Sequence, residues 1–386
     1  MTAPLRMTAA VLREFGQPQK AEEVILDPPG PDEVLVKVGA AGVCHSDLRL
    51  AEGSLGTFRI PIILGHEGAG VVVALGEGVT HVKPGDHVAF CIIPACGACG
   101  SCREGKPTLC ELAGLNGGRG SLMDGTSRLH LASGEPLKHF LFVSCFAEYT
   151  VVPAASAVPI PTSLPLWQAA LLGCAVITGV GAVRNVAKVQ RGDSVCVIGA
   201  GGVGLQIIKA AQLAGAERII AVDRNQEKLD RAISQGATDA VDSSQADPAA
   251  RVRELSNGGV DHAIEAVGIP VTIRLAWDVL RPGGGAVVVG LAAVGAEVSI
   301  PAIEFLSAKN LKGCYYGSGN PAAELPELAE MAASGRFPLA DSVSHFTDLN
   351  GIGEAFERMN KSVGARTVIL VDKTIAGAPW DPVRSH

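Results

Sequence analysis

The stretch "DSVCVIGAGGVGLQIIKAAQLAGAERIIAVDRNQEK", residues 193–228, decides the fold. Ser194 to Ile198 read as a short buried strand. Gly199, Gly201 and Gly204 then form G-x-G-x-x-G around Gly202 and Val203, and Leu205, Ile208 and Leu213 follow at helical spacing. Strand, tight turn and helix in that order bring helix N-terminal amides to a pyrophosphate, with glycines where the backbone must approach it. Arg218 to Val222 form the next apolar strand, closed by Asp223. A carboxylate there bonds ribose hydroxyls and repels a 2′-phosphate, so NAD is expected over NADP, although the adjacent Arg224 softens the repulsion. In a chain with 47 glycines the glycine pattern alone says little, and the flanking strand and acid give it meaning. The runs "VDHAIEAVG" (260–268) and "GAVVVGL" (285–291) supply later strands of a parallel sheet.

With 386 residues, 47% hydrophobic and 18% charged, the chain is expected to form two domains around a large core. A net charge of −7 without basic clusters argues against nucleic acid as a partner. No apolar run of signal-peptide length precedes Arg13 and Glu14, which suggests a cytoplasmic location. The uncharged stretch from Thr162 to Val183 is long enough to span a bilayer. Its Pro165, Gln168 and glycines favour a buried helix and connector, so no membrane is expected as a partner.

Four of the ten cysteines lie in "PACGACGSCREGKPTLC", residues 94–110, at Cys96, Cys99, Cys102 and Cys110. In a reducing compartment such a cluster points to metal, and this spacing lets one loop wrap four thiolates around a tetrahedral Zn²⁺. Four thiolates leave no open position, so the zinc would be structural. Free thiols and an iron–sulfur cluster are the alternatives. A second set is dispersed: Cys44 in "GVCHSD", His66 with Glu67 in "ILGHEGAG", and Cys174 in "LLGCAVITG". Two thiolates and an imidazole make a three-ligand zinc site that keeps a fourth position for substrate. Each of these residues alone would read as ordinary packing. The remaining Cys91, Cys145, Cys196 and Cys314 sit in apolar contexts that suit inert buried thiols.

Together, Cys44-His45-Ser46-Asp47, Gly65-His66-Glu67-Gly68, the four-cysteine loop, Gly173-Cys174 and the glycine turn resemble the zinc-dependent medium-chain alcohol dehydrogenases, in the long liver-type branch that includes glutathione-dependent formaldehyde dehydrogenases. The likeness runs from about Met7 to Asp372. It implies an α/β chain: a GroES-like catalytic domain over 1–177 and 321–386, and a doubly wound Rossmann coenzyme domain over 178–320. The segment "GSLMDGTSRLHLASGEPLKHFLFVSCFAEYTVV" (120–152) resembles an insertion of the liver-type branch, which implies a homodimer. By resemblance His45 and Arg366 would contact the coenzyme pyrophosphate and Lys228 its adenosine ribose. Asp47 and Glu67 would surround the catalytic zinc and hold His66.

The implied reaction interconverts an alcohol and an aldehyde, with zinc polarising the oxygen, hydride passing to NAD, and Ser46 taking the alcohol proton. Arg49 stands where several liver-type enzymes have a relay histidine, and a guanidinium cannot accept a proton. The glutathione-dependent branch keeps charged anchors at positions matching Leu55 and Gly114. Their absence, with apolar pocket positions at Leu55, Ile92, Phe140, Leu141 and Leu291, leads us to expect primary alcohols with a hydrophobic tail or ring. The alternative is a formaldehyde dehydrogenase acting on an S-hydroxymethyl thiol adduct. A non-catalytic dinucleotide-binding relative would be expected to lack Cys44, His66 or Cys174, and all three are present.

Overall fold

The glycine-turn segment folds as its spacing predicts: a strand Ser194–Ile198, a helix Gly202–Ala214 and a strand Arg218–Asp223. Its compactness depends on missing side chains. A Cβ on Gly204 would lie 1.8 Å from the Gly199 carbonyl oxygen, so the helix can seat on the strand end only with glycine there. The structure, a computed structural model, describes residues 3–56 and 58–377. The chain divides into two compact units, one of Met1–Cys174 with Asn320–His386, the other of Ala175–Gly319.

The contiguous unit holds a six-stranded sheet in the order Asp239–Asp242, Arg218–Asp223, Ser194–Ile198, Val260–Glu265, Leu280–Val288, Asn310–Gly313. Every pairing in it is parallel. The chain order reverses between Ser194–Ile198 and Val260–Glu265, which opens a crevice beyond their carboxyl ends, the place where open α/β sheets bind ligands. Cys196, Ile198, Ile220, Val222, Ala263 and Ala286 make the core, each 4% exposed or less. Strands buried on both faces explain why these segments read as continuous apolar runs.

The discontinuous unit is built mainly from antiparallel strands. Its larger sheet runs Ala157–Pro159, His87–Phe90, Glu67–Leu75, Glu33–Gly42, Arg366–Leu370, Val343–Thr347, with Tyr149–Pro153 also paired to Glu33–Gly42. A smaller five-stranded sheet contains Leu5–Leu12 and takes up the expected insertion as its two edge strands, Leu129–Leu131 and Lys138–His139. The apolar stretch singled out in the sequence forms a largely buried helix over Leu166–Ala187, the setting of a core helix. Two of its turns, Leu172–Val176 and Ala182–Ala187, are π-helical.

Candidate metal and coenzyme sites

Cys44 caps the N-terminus of the short helix His45–Ala51, His66 immediately precedes the strand Glu67–Leu75, and Cys174 lies in the π-turn Leu172–Val176. A π-turn widens the helix locally and often accompanies a functional side chain. The three ligand atoms lie within 4.8 Å of one another. Tetrahedral ligands about 2.3 Å from zinc stand roughly 3.8 Å apart, so both the spacing and the donor chemistry fit that ion. Cys44 and His66 are buried and Cys174 is partly so.

One carboxylate organises the trio. Asp47 Oδ1 lies 3.1 Å from His66 Nδ1 and accepts the Gly65 N–H at 3.0 Å, while Oδ2 accepts the Cys44 N–H at 3.2 Å. A proton held on Nδ1 by Asp47 leaves the Nε2 lone pair for the metal. Burial alone would lower the pKa of His66, but the charge and hydrogen bond of Asp47 outweigh it and raise His66 well above its ordinary range. The hydrogen bond from Cys174, with the charge of Arg366, holds Cys44 well below the usual thiol range. That same bond, with burial, pushes Cys174 up. One thiol of the pair is therefore ready to ionise before metal arrives, and the second must release its proton as the ion binds.

Glu67 is not among the three ligand atoms. Its fully buried carboxylate meets the Arg366 guanidinium at 2.9 Å, and Arg366 also donates to the Val43 carbonyl at 2.8 Å. The structure thus turns toward Glu67 a guanidinium that the resemblance assigns to the coenzyme pyrophosphate, and Arg366 is only 6% exposed. The ion pair compensates a charge that could not stay buried alone.

The four cysteine thiols of residues 96–110 also gather within 4.8 Å of one another. Gly97 and Gly105 take left-handed backbone there. The Cys96 N–H points at the Cys110 sulfur at 3.3 Å and the Cys99 N–H at the Cys96 sulfur at 3.4 Å. The Ala98 and Cys99 amides lower Cys96 to about 6, while withdrawal from water raises Cys102 to about 12. Four sulfurs with amide donors suit a closed tetrathiolate zinc, which braces the loop.

Of the pocket positions, Phe140 stands edge-on to His66 with ring centroids 5.4 Å apart. Phe58, which the sequence reading did not single out, packs edge-on against Phe140 at 5.3 Å. Ile92 is buried, Leu55 and Leu141 are half-buried, and Leu291 is exposed on the other unit. Leu141, Phe142 and Ser144 all have positive φ, and the Ser144 hydroxyl donates to the Ile63 carbonyl and accepts the Phe140 N–H, both at 2.8 Å. Left-handed backbone at three non-glycine residues is held by these Ser144 bonds, and residue types alone give no sign of it. Ser46 is half-buried, with its hydroxyl 4.0 Å from the Cys44 sulfur, and His45 is exposed.

In the contiguous unit Asp223 lies at the mouth of the crevice. Its carboxylate accepts the Ala200 N–H at 2.9 Å and the Asn225 N–H at 3.0 Å, so it helps hold the glycine turn. Asn225 caps the helix Gln226–Ser234 by accepting the Lys228 N–H, and Arg224 is exposed.

A closed tetrathiolate loop, a three-ligand metal trio and a parallel sheet with a glycine turn together define a zinc-binding dehydrogenase. The family models for the alcohol dehydrogenase GroES-like domain and the zinc-binding dehydrogenase match residues 30–162 and 202–334. The chain belongs to the zinc-dependent alcohol dehydrogenase family, oxidoreductases that act on CH–OH groups with zinc and a nicotinamide dinucleotide. It is 41% identical over 368 residues to the S-(hydroxymethyl)glutathione dehydrogenase of Photobacterium damsela subsp. piscicida, covering 95% of this chain and 100% of that protein. Among solved structures it resembles an alcohol dehydrogenase zinc-binding domain protein from Burkholderia ambifaria, with a TM-score of 0.92, 35% identity and coverage of 96% and 100%. It also resembles the benzyl alcohol dehydrogenase of Acinetobacter calcoaceticus, with a TM-score of 0.90, 32% identity and coverage of 95% and 100%. The relatives named for the thiol adduct favour the alternative substrate over the apolar alcohols expected from the pocket positions.

Proposed function

We propose that the protein is a zinc- and NAD-dependent dehydrogenase that oxidises the hydroxymethyl group of an S-hydroxymethyl thiol adduct of formaldehyde. The observation that carries the chemistry is the buried trio of Cys44, His66 and Cys174, with His66 held by Asp47 and a fourth tetrahedral position left over. Zinc held there supplies a Lewis acid for the substrate oxygen. Ser46, beside Cys44, would relay the hydroxyl proton, accepting a hydrogen bond from the substrate hydroxyl while its own proton passes on toward the coenzyme ribose hydroxyls. Arg49 cannot carry that proton further. Gly199, Gly201, Gly202, Val203 and Gly204 receive the coenzyme pyrophosphate, and Asp223 its adenosine ribose, which favours NAD. Four cysteines hold a second, structural zinc.

The substrate class rests on the curated relatives. Arg128, one cation that could have held the carboxylates of such an adduct, is committed to Glu33 and Asp124 at 2.8 and 2.7 Å. Arg119, exposed at the end of the helix Glu111–Arg119, is the better candidate because the next residue, Gly120, bonds the His139 amide beside Phe140. A second reading, apolar or aromatic primary alcohols, draws on the wall that Phe140 and Phe58 build against His66. Comparing kcat/KM for S-hydroxymethylglutathione, benzyl alcohol and hexanol in one buffer separates the two. We expect the adduct to lead, and a lead for benzyl alcohol would establish the second reading instead.

A homodimer is the assembly we favour. The edge strand Asn310–Gly313 is exposed along its length, and Val294, Ile303 and Leu306 of the same unit are 82%, 70% and 82% exposed. An unpaired parallel-sheet edge and exposed apolar side chains on the same unit suit pairing with a second copy. The cytoplasm is the compartment in which the ten thiols, none of them disulfide-bonded, stay reduced.

A further inference from the structure

At the floor of the crevice in the contiguous unit lies a carboxylate with no role in the reaction described above. Glu265 ends the strand Val260–Glu265, directly opposite Ile198 in the parallel ladder and one residue short of the level of Gly199, and it is 0% exposed. Its Oε1 accepts three hydrogen bonds: from the Val267 N–H at 2.9 Å, the Gly268 N–H at 2.6 Å and the Thr272 hydroxyl at 2.7 Å. Its backbone carbonyl accepts the Val289 and Gly290 N–H groups at 2.8 and 3.1 Å. One residue therefore ties together the loop that follows its own strand and the loop that follows Leu280–Val288.

Those two loops are pressed against each other. A Cβ on Gly290 would lie 2.1 Å from the Gly268 nitrogen, and one on Gly268 would lie 2.5 Å from the Leu291 oxygen. The first loop also touches the dinucleotide turn, since a Cβ on Gly199 would meet Val267 at 2.6 Å. A buried carboxylate is costly unless donors compensate it; here all three donors meet Oε1 while Oε2 is buried without a partner, which marks a fixed geometry rather than a filler.

In a doubly wound sheet the two halves each bind one mononucleotide. The half built on Arg218–Asp223 carries Asp223 and takes the adenosine. The half that begins with Val260–Glu265 is left for the nicotinamide mononucleotide. We propose that Glu265 is a positioning residue for the nicotinamide half of the coenzyme, fixing the loops at 266–268 and 289–291 as the walls of its crevice. This rests on the dinucleotide reading of the glycine turn.

The test compares a ligand that fills both halves with one that fills only the first. Dissociation constants for NADH, from its fluorescence, and for AMP, by competition, are measured on the zinc-loaded protein and on Glu265→Ala and Glu265→Gln. With Glu265→Ala the NADH constant should rise about tenfold or more while that for AMP stays within about twofold. Glu265→Gln keeps a carbonyl acceptor and should shift NADH in the same direction by less. Unchanged NADH affinity in both variants would overturn the proposal, as would parallel loss of NADH and AMP affinity in both. Failure of the unaltered protein to bind either ligand would instead remove the dinucleotide reading itself, and the proposal with it.

Discussion

Asp47 shows how much one side chain can settle. It fixes the tautomer of His66, anchors the Gly65 amide before the strand and caps the amide of Cys44, so two of the three metal ligands depend on it. Partners of this kind are worth about 10–100-fold in metal affinity. Asp47→Ala should therefore lower the zinc content of dialysed protein from about two ions per chain toward one, the four-cysteine loop keeping its own. Elemental analysis reads this directly. His139 offers a different test, because burial, reinforced by the charge of Arg128, lowers its pKa to about 3. Above pH ~6.5 the residue is neutral folded or unfolded and contributes nothing, but as pH falls from there toward 3 only the unfolded chain takes the proton. Stability is lost over that window at about 1.4 kcal/mol per pH unit. His139→Leu should flatten the slope of unfolding free energy between pH 6.5 and 4, and an unchanged slope would show that other groups set it. At this scale the sequence shows ligands better than their partners. Cys44, His66 and Cys174 are visible as residue types that bind metal. The pairing of Glu67 with Arg366 joins positions 299 apart, and no local spacing announces it.

The elements that were legible are those whose signal is local. The glycine turn reads correctly because Gly199, Gly201 and Gly204 answer to steric demands a few residues away, and the four-cysteine loop because a metal needs its ligands close together. The turn makes its own prediction. A methyl group at position 204 would collide with the Gly199 carbonyl, so Gly204→Ala should weaken NADH binding at least tenfold while both zinc ions remain, as titration and metal analysis together would show. What stayed hidden depends on packing between distant segments. Nothing in "LLGCAVITG" signals that Cys174 sits in a π-turn, and nothing in "HFLFVS" signals left-handed backbone at Leu141, Phe142 and Ser144. Glu265 reads as a mere strand end until the two loops it ties are seen to converge.

For the molecule as a whole, the exposed edge Asn310–Gly313 and the exposed apolar side chains of the same unit predict the assembly. The 39.6 kDa chain should run in light scattering as a species of about twice that mass, and Leu306→Glu, which puts a charge on an 82% exposed apolar position, should shift it toward the monomer. A dimer unaffected by the charge would place the interface elsewhere. The path of the chain has a further consequence. The strand Arg366–Leu370 lies inside the larger sheet, between Glu33–Gly42 and Val343–Thr347, yet it follows the whole Ala175–Gly319 unit in the chain. Until it arrives that sheet has a missing plank, and Glu67 lacks the guanidinium that neutralises it. The nucleotide sheet is encoded in one uninterrupted run and can close during synthesis, since domains generally fold as units while the chain emerges. The ion pair that backs the metal trio can therefore form only after the whole nucleotide unit has been synthesised.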